Sequence, residues 1–418
     1  VAGVLQASGA ASSAWVSPSA TCEEGYLLNR IFAKLGSANL DHRLQRTDFH
    51  DQHNDPVFPS LGVSIAELET QQSVLLVGSD LRSEAPILAH RLRKAALNGC
   101  AVSVLNAVDY PYLFPLADRV ITEPDAWCAE LARLIIGCGG ELPPAVAASF
   151  AVSEPRKPAL VNKPALILLG QMAQRHPAFG MLRYLSAVLA KLTGASLGYV
   201  TEGANSAGLS LAGVLPHRDV AGTVRSQMGQ TAAAMKPETL LLVNVEPDKD
   251  VSPAMAPRVA EADTVIALTP FTSEALLDYA DVLLPIGTWA ETSGTYVNAA
   301  GLWQSFAGVA APVGLSRPAW KVLRVLATVL QVPDSEFASS EAVLAALQAQ
   351  CGDIAANNQP EFAAAEATLA PAKATLAELE VSLYQTDAIV RRAGALQATV
   401  RAQREKDPAA VPQEVQRG

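Results

Sequence analysis

The sequence predicts an α/β protein of two doubly wound, Rossmann-like domains with mainly parallel sheets, one domain discontinuous, followed by a helical or irregular C-terminal tail. Three observations carry this. Short apolar runs without alternation recur, as strands buried on both faces require. Each leads through a turn into an amphipathic helix. The runs fall into two sets, separated by a Pro- and Ala-rich stretch over 141–163. Composition agrees: 50% of the 418 residues are hydrophobic, 17% charged and 6% aromatic. Cores of Ala, Leu and Val follow, and global disorder is excluded.

In order, 73–78 is a buried strand, and Ser79 to Pro86 supplies turn and helix-start chemistry. A helix over 87–97 is stopped by Asn98-Gly99, and 100–105 is the next strand. These make one right-handed βαβ unit. In the second set, 164–170 is a strand and 179–192 a helix closed by Thr193-Gly194, with strands at 239–245, 264–268 and 280–285. Beyond Pro333, Ser339-Ser340-Glu341 predicts a capped helix running to Gln350, and 360–383 is rich in Ala and Glu. Residues 331–400 read as a helical or irregular extension, and 401–418 as a mobile tail.

Charge narrows the function classes. Thirty-one basic residues against 41 acidic give −10, so the chain lacks the basic footprint of a nucleic-acid binder and is repelled by anionic lipid. No apolar run reaches the ~20 residues of a membrane span, and no direct membrane insertion is expected. No basic segment precedes the apolar first twenty residues, which argues against a secretory signal. Without an initiator Met, the chain reads as part of something longer or processed. Cys22, Cys100, Cys128, Cys138 and Cys351 form no C-x-x-C pair. They read as reduced, mostly buried thiols rather than disulfides, cluster ligands or a zinc site.

Ligand signals are weaker. Glu202-Gly-Ala-Asn-Ser-Ala-Gly208 can form an anion-binding nest or a tight turn. Asp80 and Arg82, after Gly78, sit where a strand end meets a ligand in α/β folds, and equally can pair or cap. His42, His50 and His53, with Asp48, Asp51 and Asp55, offer metal-ligand residue types, but the segment lacks helical periodicity and reads as a solvated loop. There is no G-x-S-x-G elbow, and His217 reads as structural or interfacial. Asn244, Glu246, Asp248 and Thr269 stand at strand ends of the second set, facing a cleft or making turns.

Taken together, several segments resemble the molybdopterin-oxidoreductase fold. They are Cys22 to Arg43, the unit over 74–105, the turn at 203–208, Ala280-Asp-Val-Leu-Leu-Pro285, and Glu291-Thr-Ser-Gly-Thr-Tyr-Val-Asn298. Gly301-Leu-Trp-Gln-Ser-Phe306, Trp320-Lys-Val-Leu-Arg324 and Tyr384-Gln-Thr-Asp-Ala-Ile-Val-Arg-Arg-Ala393 are similar, within that superfamily, to the large iron–sulfur (G) subunits of bacterial NADH:quinone oxidoreductases (complex I). The resemblance covers about 20–400.

It implies a discontinuous domain, 1–47 with 161–330, carrying 48–160 as an insert. Family members with molybdenum place a Cys, selenocysteine or Ser ligand shortly after the segment matching Asn39-Leu-Asp41. Residues 43–49 here read Arg-Leu-Gln-Arg-Thr-Asp-Phe, with no thiol or serine. The resemblance therefore implies a retained fold with its active centre lost: no catalytic residue, metal ligand or cofactor in this stretch. Gly78, Asp80, Arg82, Gly203, Asn205, Ser206 and Gly208 are the candidates for lining a vestigial cleft. It further implies iron–sulfur clusters in an N-terminal portion outside this sequence, and neighbours among the peripheral-arm subunits, the NADH/flavin subunit included. The location implied is the cytoplasmic side of the bacterial inner membrane. The alternatives are a molybdopterin-binding oxidoreductase domain and a free-standing anion-binding α/β module.

Overall fold

The computed structural model describes residues 1–150, 154–358, 372–380 and 382–406. Residues 1–379 form one compact unit and 380–418 a second.

The first unit opens with α1 (Ala2–Ser8), β1 (Ser12–Val16), α2 (Cys22–Leu35) and β2 (Leu40–Asp41). Next come β3 (Ser73–Val77), α3 (Leu81–Glu84), α4 (Pro86–Leu97), β4 (Ala101–Asn106), β5 (Asp118–Ile121), α5 (Trp127–Gly137) and α6 (Pro144–Ser149). Then follow β6 (Ala165–Leu169), α7 (Gln171–Arg175), α8 (Phe179–Thr193), β7 (Ser196–Tyr199), α9 (Ser206–Leu211), β8 (Thr239–Val243) and α10 (Pro247–Asp250). After these come β9 (Thr264–Thr269), α11 (Glu274–Tyr279), β10 (Val282–Pro285) and a hairpin, β11 (Gly294–Val297) with β12 (Trp303–Phe306). Helices α12 (Ala319–Val329), α13 (Ser340–Cys351) and α14 (Leu376–Leu379) complete it.

The strands form two parallel five-stranded sheets. The first runs β10-β9-β8-β1-β2 and the second β5-β4-β3-β6-β7. In each, chain order reverses at the middle, between β1 and β8 and between β3 and β6. Those reversals are the topological switch points of doubly wound folds. The central strands β1, β3, β6 and β8 are buried at every residue, as strands covered on both faces are.

Sheet membership corrects the expected boundary. Strands β6 and β7 lie beyond residue 160 yet pair with β3, as in Leu75 opposite Ile167. The second sheet therefore extends to Tyr199 rather than stopping before 161. The predicted strands and helices otherwise fall where expected within a residue or two, and Ser339 caps α13 by accepting from Ala342 N. The stretch 141–163 includes α6 as well as irregular chain.

Helix α2 shows how the local sequence sets an element. Thr21 caps it by accepting from Glu24 N, and Glu24 returns the bond to Thr21 N at 2.9 Å. Gly36, at φ 75°, ends it in the left-handed conformation. Its apolar face enters a core with α9, α12 and α13.

The second unit contains α15 (Leu383–Thr386), α16 (Gly394–Gln397) and α17 (Val400–Lys406). Gln397 Nε2 donates to Tyr384 O and Val390 O at 3.0 and 2.9 Å and holds the first two together. Helix α17 corrects the expected tail for 401–406. The remainder of that tail, and most of the Ala- and Glu-rich 360–383, lie outside the described residues.

Candidate functional site

Strand β2 ends at Asp41, and the chain runs from its carboxyl end through a charged segment to Asp55. Its aspartates and arginines are buried, which corrects the solvated-loop reading for them, while His50 and His53 are exposed: Asp41, Asp48, Asp51 and Asp55 are all 9% exposed or less, as are Arg43 and Arg46. Only fully paired charges survive such burial. Asp41 accepts from Arg43 Nε at 2.8 Å and Nη2 at 2.9 Å. Asp55 accepts from Arg43 Nη1 and Arg46 Nη1, each at 2.7 Å, and from Arg183 Nη1 of α8. Asp51 accepts from Arg183 Nε at 2.9 Å and Arg46 Nη2 at 3.3 Å. Asp48 caps the start of α8 through Gly180 N at 2.8 Å. Phe179 lies under Arg46 and Arg183, with guanidinium-to-ring distances of 5.0 and 5.2 Å.

A cavity of about 80 Å³ opens beside this cluster. Lining it are His42, Arg43, Gln45 and Arg46 beyond β2; Gln171, Gln174 and Arg175 of α7, beyond β6; and Tyr199, Glu202 and Ser206, at and beyond the end of β7. The carboxyl ends of strands from both sheets thus converge on one place, where α/β folds bind ligands.

Electrostatics follow the burial. Burial alone would raise Asp55, but Arg46, Arg183 and Arg43 hold its carboxyl well below the usual range. Burial and then Arg43 act on Asp41 in the same way, with a lowered result. Burial pushes His42 down to about 4. Burial, then Arg43, pushes His217 to about 3, so both imidazoles are neutral at pH 7. Glu202 is pushed up to about 7 by burial against the opposing pull of Arg175.

Of the seven residues expected at a vestigial cleft, Ser206 lines the cavity; the others are placed elsewhere by packing. A Cβ on Gly78 would meet Ala173 N and the Trp127 ring at 2.7 Å, so the switch point of the second sheet is closed by backbone contact. Asp80 precedes α3 and accepts from Ser83 Oγ. Arg82 is exposed over a separate shallow groove with Tyr112 and Phe114. Gly203 abuts the Pro18 carbonyl, and a Cβ on Gly208 would lie 2.1 Å from Asn205 Oδ1. Asn205 is a buried staple: Nδ2 donates to Ala20 O at 2.7 Å and Oδ1 accepts from Val297 N at 2.8 Å.

The histidines do not converge. His42 is buried with Nε2 3.2 Å from Ser210 Oγ, whereas the His50 side chain is 87% exposed and His53 is exposed beside Asn54. His217 is buried, its Nε2 3.9 Å from Asp55. Asn244, Glu246, Asp248 and Thr269 stand away from the cavity, Thr269 in a turn with Phe271. Arg43, Arg46, Arg175 and Arg183 are site residues that the sequence did not single out, while Glu202, the first residue of the glycine-bearing segment, does line the cavity. The available signal was an arginine, Arg183, within the otherwise apolar first turns of α8.

Two doubly wound parallel sheets whose strand ends meet at one buried site define a two-sheet α/β fold. The chain belongs to the molybdopterin oxidoreductase family, whose model matches residues 3–329. It is similar to the G subunit of NADH-quinone oxidoreductase from Mycobacterium bovis, 26% identical over 280 residues, 59% of this chain and 32% of that protein. It is also similar to the mitochondrial 78 kDa subunit of NADH-ubiquinone oxidoreductase from Candida albicans, 24% identical over 311 residues, 72% of this chain and 37% of that protein. The chain therefore spans about a third of the length of these relatives. Among solved structures, acetylene hydratase from Pelobacter acetylenicus shares the fold at TM-score 0.54 and 12% identity, covering 84% of this chain and 60% of that one. A chain of the formyltransferase/hydrolase complex of Methylorubrum extorquens does so at 0.52 and 13%, covering 79% and 96%.

The family's cofactor does not fit the residues present. No cysteine lines the cavity, so a soft metal has no thiolate there. The nitrogens of Arg43, Arg46 and Arg183 are committed to the chain's own oxygens, leaving no free fork for a phosphate. Among the described residues, no group of three or more His, Cys, Asp or Glu is arranged to hold a metal ion.

Proposed function

We propose that this chain is the non-catalytic, cofactor-free part of a large iron–sulfur (G) subunit, serving as a structural scaffold in the peripheral arm of a respiratory NADH:quinone oxidoreductase. The observation that carries this reading is the filled strand-end site: paired arginines and aspartates stand where a metal ligand and cofactor phosphates would be needed. Rigidity is what a scaffold requires, and two parallel sheets with buried central strands supply it. In this reading residues 1–47 and those following Tyr199 form a discontinuous domain around the insert. The iron–sulfur clusters belong to the part of the subunit outside this chain. Its neighbours are other peripheral-arm subunits, including the NADH/flavin subunit, on the cytoplasmic side of the inner membrane. Among the described residues no helix is long and apolar enough to cross a membrane.

The test is deletion of this region from the full subunit. Loss of assembled complex is expected, and intact complex with full NADH:quinone activity would overturn the scaffold. The alternative, a pterin-binding oxidoreductase domain, is separated by elemental analysis of protein purified without chelators. Molybdenum and tungsten are expected at background, and near-stoichiometric metal would reverse the reading.

A further inference from the structure

The strand ends of the two sheets converge on a ligand site that the chain fills from within. Arg43 and Arg46 come from the segment just beyond Asp41 of β2, in the first sheet, and Arg183 comes from α8, packed on the second. A continuous path of charge joins them. Asp41 holds Arg43 at 2.8 Å, Arg43 holds Asp55 at 2.7 Å, and Asp55 holds Arg183. A second strut runs from Asp55 through Arg46 to Asp51, and Asp51 returns to Arg183 at 2.6 Å. Arg183 is 1% exposed and Asp51 1% exposed, so solvent takes little part in holding them.

We propose that this cluster of three arginines and three aspartates stands in for the family's cofactor as an internal clamp, closing the two sheets onto each other with no pterin or metal bound. The inference deepens the cofactor-free reading by naming what replaces the cofactor. In a cofactor-dependent fold the interlayer contact is completed by the ligand, and the empty protein is looser. Here the groups that would meet a ligand are already satisfied by one another. Breaking one member exposes the asymmetry of buried ion pairs, because the partners left behind are charges without counter-charges. Asp55 is the shared acceptor of all three arginines, so it is the member whose loss is felt most.

The test uses the 418-residue chain, made in an ordinary host and in one unable to synthesise molybdopterin. Equal melting temperatures and equal hydrogen exchange are expected. A lower melting temperature for the pterin-free preparation, restored by a molybdopterin-containing extract, would overturn the proposal. Asp55→Asn is expected to lower Tm by roughly 5–10 °C and to speed amide exchange in both 41–55 and 179–186. Arg119→Ala, which removes an exposed pair with Asp109, is the control and should leave Tm nearly unchanged. A Tm for Asp55→Asn equal to wild type would refute the clamp. Should that variant fail to fold, exchange in the wild-type chain decides. Amides over 41–55, and Gly180 N on Asp48, must exchange as slowly as those of β3 and β6, and loop-like rates would refute the clamp. These readouts come from the isolated chain. A failed clamp therefore leaves the assembly result untouched, and failed assembly dependence leaves the clamp untouched.

Discussion

His42 and His217 carry a pH signature that charged neighbours alone would not. Burial holds them neutral, at about 4 and about 3 in the folded chain, whereas both titrate near ~6.5 when unfolded. The unfolded state therefore binds their protons first. Their contribution to stability is complete above ~6.5 and is lost as pH falls toward 4 and 3. Glu84 and Glu202 work in the opposite sense. Burial raises both to about 7, so their contribution is complete below the unfolded ~4.3 and is lost as pH rises through 7. Comparing wild type with the double variant His42→Gln/His217→Gln isolates the imidazoles, since both proteins keep the glutamates. The variant's Tm should depend less steeply on pH between about 6.5 and 4; an unchanged slope would show that the two rings are not buried neutral.

At the scale of elements, the strand-end loops of the second sheet are tied by one carboxyl group. Glu84 of α3 accepts from Ser79 Oγ at 2.8 Å, Asp80 N at 2.9 Å and Gln171 N at 3.2 Å, joining the exit of β3 to the start of α7. Glu84→Ala strands three donors and should cost about 2–4 kcal/mol in denaturant unfolding. A loss within about 0.5 kcal/mol would mean that water replaces the carboxyl without penalty. Strands β3, β4, β6, β8, β9 and β10 were legible in the sequence because their apolar runs need no partner to be recognised. Strand β1, Ser-Ser-Ala-Trp-Val, was not, since its burial comes from lying between β2 and β8. The placement of β6 beside β3 was equally hidden: a pairing between segments so far apart in sequence leaves no local mark, as Ser73 opposite Ala165 illustrates. At the site, glycine-rich turns drew attention as phosphate cradles but serve close packing. The charged run 41–55 read as solvated because the arginine that completes its pairing and buries it, Arg183, stands 128 residues beyond Asp55.

For the molecule as a whole, the question is whether two sheets with separate cores behave as one body. Among the described residues their apolar clusters are distinct: one around β1, β8 and α2 and one around Met235, Leu240 and Val259 belong to the first sheet, and another lies around β3, β4 and α4. Cooperativity between them therefore depends on what crosses, and the buried ion cluster crosses. Asp41 and Asp55 are held below the usual carboxylate range in the folded chain. Their stabilisation is accordingly present above the unfolded ~3.9 and is lost as pH falls through the lower folded values. Calorimetry of the full chain should then give one cooperative transition for residues 1–379 at pH 7. Once the carboxyls protonate in strong acid, below the ordinary carboxylate range, the arginines lose their acceptors and each sheet is left with its own core. The single transition should resolve into two, each with a van't Hoff enthalpy matching its own calorimetric value. Two transitions already present at neutral pH would mean that the sheets melt independently and that the cluster does not couple them. One transition persisting through acid would mean that apolar contact alone binds the layers, and the ion pairs only fill the space between.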